Sequence, residues 1–429
     1  MLIVSSLLLL SEIAYGMLFS GMSTQIILFI VVSIIASCFY ILICLIIHYN
    51  VDALTKNLPV IIIASAFIFR LTVIWINPVA SGDVYRYLWD GKVQLHGFNP
   101  YAHPPADSVL TGLSSGTSLQ SMDYHAMRTI YPPFSEWIFT LGYSISGDNA
   151  LGIKFFLLVA ECFTAWLLIL ILKEIRKPLA YIGFYLICPL PIMQFMIDAH
   201  MDALAFPFVL LCILLWMKRK PLHASVALGF GIISKLLPVL FIPLLLRGED
   251  RSRKLILLFG SFIVVVLSYL PYILGGGSPW EALSAYSSRW YFNGPVFDLA
   301  HLVIESNEAA HLFVACLFIL WLVYVYTREW IFIEKIYFTL MGFFLLSATV
   351  HPWYVTWLAL MLPLVMRWSG VAYITLVNLA NIVVIDYKAL KIWHLSPLIE
   401  IAEYLPIIIL VLLELNFILK SRAVTEIRS

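Results

Sequence analysis

Residues 24–47 read TQIILFIVVSIIASCFYILICLII, a run without a single charged side chain. A helix that crosses the hydrocarbon core of a bilayer needs about 20 consecutive apolar residues, so this stretch predicts a transmembrane helix. Eleven further segments along the chain share this apolar character: 2–20, 58–77, 151–172, 180–197, 203–217, 255–274, 309–327, 336–350, 353–366, 371–386 and 398–419. The sequence therefore predicts an all-α polytopic membrane protein with about 12 transmembrane helices.

The composition agrees with this fold class. The chain has 429 residues, of which 62% are hydrophobic and 12% are charged. Soluble domains contain about 25% charged residues, so the composition excludes an assembly of soluble domains. The formal net charge is +1, and without a basic region to hold a phosphate backbone a nucleic acid partner is not expected. Neither a Gly-Lys-Ser/Thr phosphate loop nor a Gly-x-Gly-x-x-Gly fingerprint occurs, so nucleotide-driven work is not expected either.

One further apolar stretch, 222–246, is interrupted by Lys235, and both of its flanks are basic. About 25 residues cannot cross a membrane twice as full helices at 1.5 Å per residue. We therefore predict a re-entrant or broken hairpin, with Gly229, Gly231 and Pro238 supplying the break. Because an ammonium at membrane depth needs a partner, Lys235 is also a candidate functional residue.

Clusters of Lys and Arg in short loops indicate the orientation, because such loops remain in the cytoplasm. These clusters lie at 173–177, 218–220 and 247–254. They place the N-terminus in the cytoplasm and two long loops, 78–150 and 275–308, outside.

The first outer loop is predicted to contain two short helices. Residues 83–95 carry apolar side chains near helical spacing, so we expect a helix at the bilayer surface with Tyr85, Tyr87 and Trp89 at headgroup depth. A pair of prolines should open the second helix, which should continue through about Ser144.

Several polar residues cluster at predicted outer turns. Asp198 and Asp202 share a helix face if the helix continues, and with His200 they form either a metal or proton site or a solvated helix start. Residues 351–354 (HPWY) belong either to the same site or to an aromatic belt at the membrane interface. Arg289 lies among aromatic residues and is either a phosphate ligand, through its fork of donors, or an interface anchor.

Two carboxylates lie inside apolar spans, where a charge is costly unless it is paired. These are Glu12 and Glu161. We interpret both as packing carboxylates bonded to a neighbouring helix.

The ordered motifs resemble a known family. In the first outer loop, Asp83–Gly91 (DVYRYLWDG), Gly97–Tyr101 (GFNPY) and Tyr131–Pro133 (YPP) resemble the corresponding loop of bacterial GT-C glycosyltransferases, specifically the polyprenol-phosphate-mannose-dependent mannosyltransferases around glycosyltransferase family 87. Further stretches similar to this family are Ala199–Leu204 (AHMDAL), Lys235–Pro238 (KLLP), Arg289–Asn293 (RWYFN) and His351–Tyr354 (HPWY).

The resemblance implies a single membrane domain, 1–429, built around a GT-C-like catalytic module at 58–366. Residues 1–57 would add two N-terminal spans, because the usual module places its acidic residue after the first span. Residues 367–429 would supply C-terminal spans and a short cytoplasmic tail. The implied reaction is transfer of a hexose, mannose in this family, from a polyprenyl-phosphate donor to a glycan or lipid-linked acceptor, with inversion, on the non-cytoplasmic face.

The resemblance also assigns roles. Asp83 matches the family's first-loop acid and would be the base that takes the acceptor proton. The leaving phosphate needs positive charge, for which the candidates are Arg289, Lys235 and Arg86. The remaining motif residues are candidate substrate-binding residues: Tyr85, Trp89, Asp90, Asn99, Tyr101, Tyr131, Asp198, His200, Asp202, Asn293, His351, Trp353 and Tyr354.

No cofactor is implied and no metal ligand is assigned, although Asp83, Asp198 and Asp202 would hold a divalent cation if the outer loops converge. The implied partners are the polyprenyl-phosphate sugar, the acceptor and the lipid bilayer. The resemblance places the protein in a bacterial inner membrane, with its active site on the periplasmic side.

A transporter or flippase for a lipid-linked sugar is the alternative, because broken helices and a membrane-depth lysine also suit transport. The length of the loop 78–150 favours the enzyme, since long loops of this kind tend to be functional. A transferase for another hexose, a pentose or an oligosaccharide on the same scaffold is a second alternative.

Overall fold

A computed structural model describes residues 1–19, 26–51, 54 and 56–426, with side chains up to residue 418. The ends of the predicted segments at 20 and 24–25, and residues 427–429 of the predicted tail, lie outside this description. The described α-helices are α1 (Leu2–Met17), α2 (Ile26–Asn50), α3 (Leu58–Val73), α4 (Asp83–Leu95), α5 (Thr117–Ser121), α6 (Pro133–Ser146), α7 (Leu151–Glu174), α8 (Gly183–Leu186), α9 (Pro189–Met196), α10 (Phe206–Met217), α11 (Pro221–Ser234), α12 (Ile242–Leu246), α13 (Arg251–Leu274), α14 (Pro279–Arg289), α15 (Pro295–Ile304), α16 (Asn307–Thr327), α17 (Phe332–Leu346), α18 (Thr356–Met361), α19 (Trp368–Leu376), α20 (Val383–Leu390) and α21 (Pro397–Glu426).

Short 3-10 helices connect several of these elements, at Ser108–Leu113, Leu179–Ile182, Met201–Leu204, Leu237–Phe241, Pro352–Val355 and Val377–Ile382. The described part of the chain contains no β-strand, and its one isolated bridge pairs Phe292 with Thr349. The prediction of an all-α protein is therefore confirmed.

Within the described residues, five helical stretches are long and apolar enough to cross a membrane, namely α2, α7, α13, α16 and Trp368–Leu390. A sixth would form if Leu179–Leu186 and Pro189–Met196, which are bent by 50° relative to each other, make one span. The bend lies at Cys188, whose extended backbone is the conformation favoured before a proline. These helices make the chain a multi-pass membrane protein, while the count of about 12 spans stays a prediction.

The stretch 222–246 is broken, as predicted, but not at its glycines. Helix α11 continues through Gly229 and ends at Ser234, and the break lies at Lys235, whose backbone is extended. A Cβ atom on Gly229 would come within 2.6 Å of the Val264 Cβ atom in α13. This glycine therefore allows two helices to pack closely, and the prediction that it supplies the break was wrong.

Helices occur at both positions predicted within residues 78–150, as α4 and α6, and they pack against each other. The contact is close because a Cβ atom on Gly91 would lie 2.3 Å from the backbone oxygen of Phe139. The prediction that Tyr87 and Trp89 lie among lipid headgroups was wrong. Tyr87 stacks on the Phe139 ring at 4.4 Å, and Trp89 is buried against Val93 and its neighbours.

The two intramembrane carboxylates pack as interpreted. Glu161 forms an ion pair with Arg70 in α3 at 2.6 Å, and it also accepts a hydrogen bond from the Tyr185 hydroxyl. Glu12 accepts a hydrogen bond from the Thr72 hydroxyl at 2.5 Å. Both carboxylates therefore link helices of the N-terminal half.

Candidate active site

A large cavity of about 1300 Å³ lies where the segments 78–150 and 275–308 meet the ends of the helices. Its walls come from the segment that leads into α4, from the break after α11, from α14, α16 and α17, and from residues 384–393. Nine of the sequence-predicted site residues line it: Asp83, Tyr85, Arg86, Tyr131, Asp202, Lys235, His351, Trp353 and Tyr354. Segments that are far apart in the chain thus converge on one space.

Lys235 lies in this cavity at the C-terminal end of α11, where the helix dipole favours a cation. Its Nζ atom donates to Oδ2 of Asp202 at 3.0 Å, and the Trp357 indole donates to Oδ1 of the same carboxylate at 2.9 Å. The ammonium also lies 5.0 Å from the centre of the Tyr354 ring. The lysine therefore has the partner that its depth requires, and 23% of its side chain remains exposed.

Asp83 is the first residue of α4, a position that favours negative charge. Its side chain is 39% exposed, and Oδ2 lies 3.7 Å from Nδ1 of His200. Partial burial at the cavity wall raises the pKa of the Asp83 carboxyl to about 6, while Lys235 lowers the pKa and Asp202 raises it. A carboxylate of this kind is ionised near neutral pH and is a better proton acceptor than an ordinary aspartate.

Two buried side chains of opposite charge hold the segment between α3 and Asp83. Lys154 in α7 donates to the backbone oxygens of Ile74 and Ile76. Asp198 accepts from the backbone N–H groups of Val79 at 2.7 Å and Ala80 at 3.0 Å. Asp198 is thus part of the support for Asp83, and Lys154 is a supporting residue that the sequence analysis missed although it lies one turn into an apolar span.

Four aromatic rings form a column behind Asp83. His200 stacks on Trp353 with ring centres 3.7 Å apart, and His351 stacks on the other side of Trp353 at 4.3 Å. Phe292 continues the column at 5.0 Å from His351. Burial lowers the pKa of the His200 imidazole well below its usual range and that of His351 to about 3, so both rings are neutral at physiological pH.

Arg86 brings a second cation to the cavity wall. Its Nε atom donates to both carboxylate oxygens of Asp90, at 2.8 and 2.9 Å, and Nη1 donates to the backbone oxygen of Met127 at 2.8 Å. Asp90 is buried away from the cavity and acts as the counter-ion of Arg86.

Other predicted site residues lie outside the cavity. Trp89 is buried beneath α4, and Arg289 is exposed at the end of α14 without lining the cavity. Asn99 donates to the backbone oxygen of Tyr272, the Tyr101 hydroxyl donates to that of Tyr131, and Asn293 donates to Glu403. Asn99 thus fixes its loop to α13 and Asn293 fixes its loop to α21, whereas Tyr101 joins two parts of the first loop.

Lining residues that the sequence analysis missed include one tyrosine of α14 and four residues of the C-terminal part of the chain: Tyr286, Tyr387, Lys388, Lys391 and Trp393. Tyr286 was detectable as an aromatic in the second outer loop, and its hydroxyl lies 2.7 Å from that of Tyr354. The four C-terminal residues follow a span with no motif to mark them.

Among the described residues, no group of His, Cys, Asp and Glu is arranged to hold a metal ion. Two members of the acidic set considered from the sequence have other partners. Asp198 accepts from backbone N–H groups, and Asp202 is paired with Lys235.

The family of this chain follows from its similarity to known proteins. The model of the MptA_B family, described as alpha-(1->6)-mannopyranosyltransferase, N-terminal domain, matches residues 8–247, more than half of the chain. The chain belongs to the MptA_B family. This match confirms the resemblance to a mannosyltransferase family that the motifs indicated.

The matched region of this MptA_B family protein includes Asp83, the turn that carries Asp198 to Asp202, and Lys235, whereas the Trp353 turn lies beyond it. The protein is also similar to an uncharacterized protein of Aquifex aeolicus (strain VF5), with 32% identity over 182 residues. That alignment covers 38% of this chain and 36% of the relative, so it spans about a third of each protein.

Proposed function

We propose that this MptA_B family protein is an inverting mannosyltransferase that moves mannose from a polyprenyl-phosphate donor to a glycan or lipid-linked acceptor. The observation that carries the proposal is the placement of Asp83 in a cavity that also contains the Lys235–Asp202 pair. The cavity thus holds a carboxylate of raised pKa and a cation, the two kinds of group that the transfer requires.

In the proposed step, the acceptor hydroxyl oxygen attacks the anomeric carbon of mannose while the bond from that carbon to the phosphate oxygen breaks. Asp83 takes the hydroxyl proton, and the polyprenyl phosphate leaves with the bonding electron pair. Attack on the side opposite the leaving group inverts the anomeric configuration. The pKa of about 6 suits Asp83 to this role, because the carboxylate is ionised before the step.

Lys235 is the first candidate for the donor phosphate. An ammonium has three N–H donors, and one of them is directed at Asp202, so two remain for a ligand in the cavity. Arg86 is the second candidate, since it also lines the cavity and its Nη2 atom is buried without a hydrogen-bond partner among the described residues. Arg289 ranks last because it is exposed outside the cavity.

An apolar part of the same cavity supports a lipid-linked donor. Leu312, Ala315 and Phe318 of α16 line it together with Phe343 and Leu346 of α17. A prenyl chain would be stabilised by burial against such side chains, whereas a nucleotide would not. We therefore place the donor tail between α16 and α17 and the mannose near Asp83.

The class of reaction is tested with purified protein in detergent, radiolabelled polyprenyl-phosphate mannose and a short mannose oligosaccharide as acceptor. We expect label to move to the oligosaccharide, and no transfer when GDP-mannose replaces the lipid donor. Movement of intact lipid-linked mannose across reconstituted vesicles without any transfer would contradict the proposal and support a transporter.

We further propose that the cavity faces the non-cytoplasmic side of a bacterial inner membrane, with the N-terminus in the cytoplasm. The support is the basic character of the loops at 173–177 and 218–220. A topology reporter fused after residue 177 should read cytoplasmic, and one inserted within 105–120 should read external. A cytoplasmic reading from the second reporter would contradict the assignment of the face.

A further inference from the structure

His200 is buried without a hydrogen-bond partner for its ring. Its side chain is fully buried, and neither ring nitrogen has a partner among the described residues. Leaving a buried N–H group unpaired is costly, so such a group calls for an explanation. Within that part of the chain, the Asp83 carboxylate is the only one within 4.0 Å of the ring, with Nδ1 and Oδ2 separated by 3.7 Å.

Asp83 has the complementary need. Its carboxylate accepts no hydrogen bond from any described residue, whereas Asp198 and Asp202 each accept two. The side chain is free to rotate because it borders the cavity. A small rotation would bring Oδ2 from 3.7 Å to hydrogen-bonding distance of Nδ1.

The aromatic column fixes the ring of His200 for this contact. Trp353 covers one face of the imidazole at 3.7 Å, with the two planes inclined by only 13°. His351 supports Trp353 from its other side. Because the imidazole is neutral, it carries one N–H group and one lone pair, and it offers Asp83 a donor without adding a charge.

We propose that His200 is a positioning residue that donates its Nδ1–H to Oδ2 of Asp83. The hydrogen bond leaves Oδ1 directed at the cavity, where the acceptor hydroxyl proton would be taken. The consequence for catalysis rests on the proposed function, but the contact itself does not. It makes the titration of Asp83 depend on His200 whatever reaction the protein performs.

The direction of that dependence follows from the chemistry. A hydrogen bond to a carboxylate favours its charged form and lowers its pKa, so loss of the donor should raise the pKa. The other charged or titratable groups that act on Asp83 are Lys235, Asp123, Asp198 and Asp202, together with the hydroxyls of Tyr87, Tyr124, Tyr131, Tyr286 and Tyr354. All of these are retained when only His200 is changed.

Two substitutions identify the nitrogen atom involved. His200→Asn carries an amide donor near the position of Nδ1, whereas His200→Gln carries one near the position of Nε2. His103→Asn is the matched control, because it changes a histidine of the same loop as Asp83 that pairs with Asp107 and does not line the cavity. Thermal unfolding of each purified variant establishes that it is folded.

The test is an infrared titration of the full-length protein, in which the Asp83 band is identified by its absence from Asp83→Asn. Burial and the neighbouring charges set the pKa of Asp83 at about 6 without a hydrogen bond from His200, so with that bond the wild type should titrate about one pH unit lower. We expect His200→Asn and His103→Asn to titrate with the wild type and His200→Gln to shift upward by about one pH unit, to about 6. Equal midpoints for wild type and His200→Gln, or a shift in His200→Asn alone, would overturn the proposal.

Mannosyl transfer by the same variants separates this proposal from the proposed function. His200→Gln should lower kcat about tenfold at pH values below the wild-type midpoint while leaving the donor KM unchanged, since a one-unit rise in pKa reduces the ionised fraction tenfold there. A shifted titration without any transfer by the wild type would support the positioning role and contradict the proposed function. Transfer that requires Asp83, with an unshifted titration, would do the reverse.

Discussion

Two ion pairs of similar chemistry occupy different surroundings. Arg70 and Glu161 are 4% and 1% exposed, and Arg70 also donates to the backbone oxygens of Ala66 and Leu186. Lys235, paired with Asp202, lines the cavity and keeps part of its side chain exposed. A charged side chain within an apolar helix therefore indicates function only when some of its hydrogen-bond donors remain available to a ligand.

The buried Arg70–Glu161 pair should matter for stability. Removing one partner of a buried ion pair leaves an uncompensated charge and costs about 3–5 kcal/mol, so Arg70→Met should lower the free energy of unfolding by that amount. Thermal and denaturant unfolding of the purified protein measure the effect. The double variant Arg70→Met with Glu161→Met is the control, and it should recover most of the loss. A stable Arg70→Met protein with impaired donor binding would break the distinction between the two pairs.

The Lys235–Asp202 pair, which borders the cavity, should matter for ligand binding. Lys235→Met should weaken binding of polyprenyl-phosphate mannose by roughly 10- to 100-fold, the loss expected for a charged hydrogen bond. Lys235→Arg keeps the charge and should retain most of the affinity. Equilibrium binding of a labelled donor measures both variants, and unchanged affinity in Lys235→Met would transfer the phosphate role to Arg86.

The pH dependence of turnover should follow the ionisation of Asp83 in the cavity. Asp83 must be ionised to accept a proton, and its pKa is raised to about 6 from an ordinary value of about 3.9. Turnover should therefore be full above pH 7 and fall about tenfold per unit as the pH drops below the midpoint at which Asp83 titrates. A kcat profile at saturating donor measures this, and an acid limb near pH 4 would mean that the pKa of Asp83 is not raised.

The smallest effect is expected at Arg289. It is exposed and does not line the cavity, and exposed charges contribute about 0–1 kcal/mol, so Arg289→Ala should change donor affinity by less than about fivefold. The same binding experiment measures it. A loss as large as that of Lys235→Met would restore Arg289 as a phosphate ligand and show that α14 moves on binding.

Sequence patterns were sufficient for the fold class and for the positions of helices α4 and α6. The same patterns marked Asp83, Lys235 and Trp353, which line one cavity, but left the Trp353 turn open between a site and an aromatic belt. They failed where a residue type has two physical uses. Gly229 breaks no helix because its missing side chain permits close packing against α13. Trp89 is predicted to lie at the membrane interface, but this residue of α4 is buried in the protein interior.

Partners distant in sequence were not predictable. Lys154 and Asp198 meet the segment before Asp83 across about 80 and 120 residues, so no local spacing reveals that they bind its backbone. The C-terminal residues that line the cavity, among them Lys388 and Trp393, belong to no sequence motif, so only the structure identifies them.

Asp83 is the proposed base, and its replacement should leave the donor-binding part of the cavity intact. The direct test is a single-turnover measurement with polyprenyl-phosphate mannose bound in advance, comparing wild type, Asp83→Asn and Asp107→Asn. Asp107 is the control because it lies on the same loop, pairs with His103 and does not line the cavity. We predict that Asp83→Asn binds the donor normally and transfers mannose roughly 10²- to 10⁴-fold more slowly, while Asp107→Asn matches the wild type. Transfer by Asp83→Asn within threefold of the wild type would contradict the account.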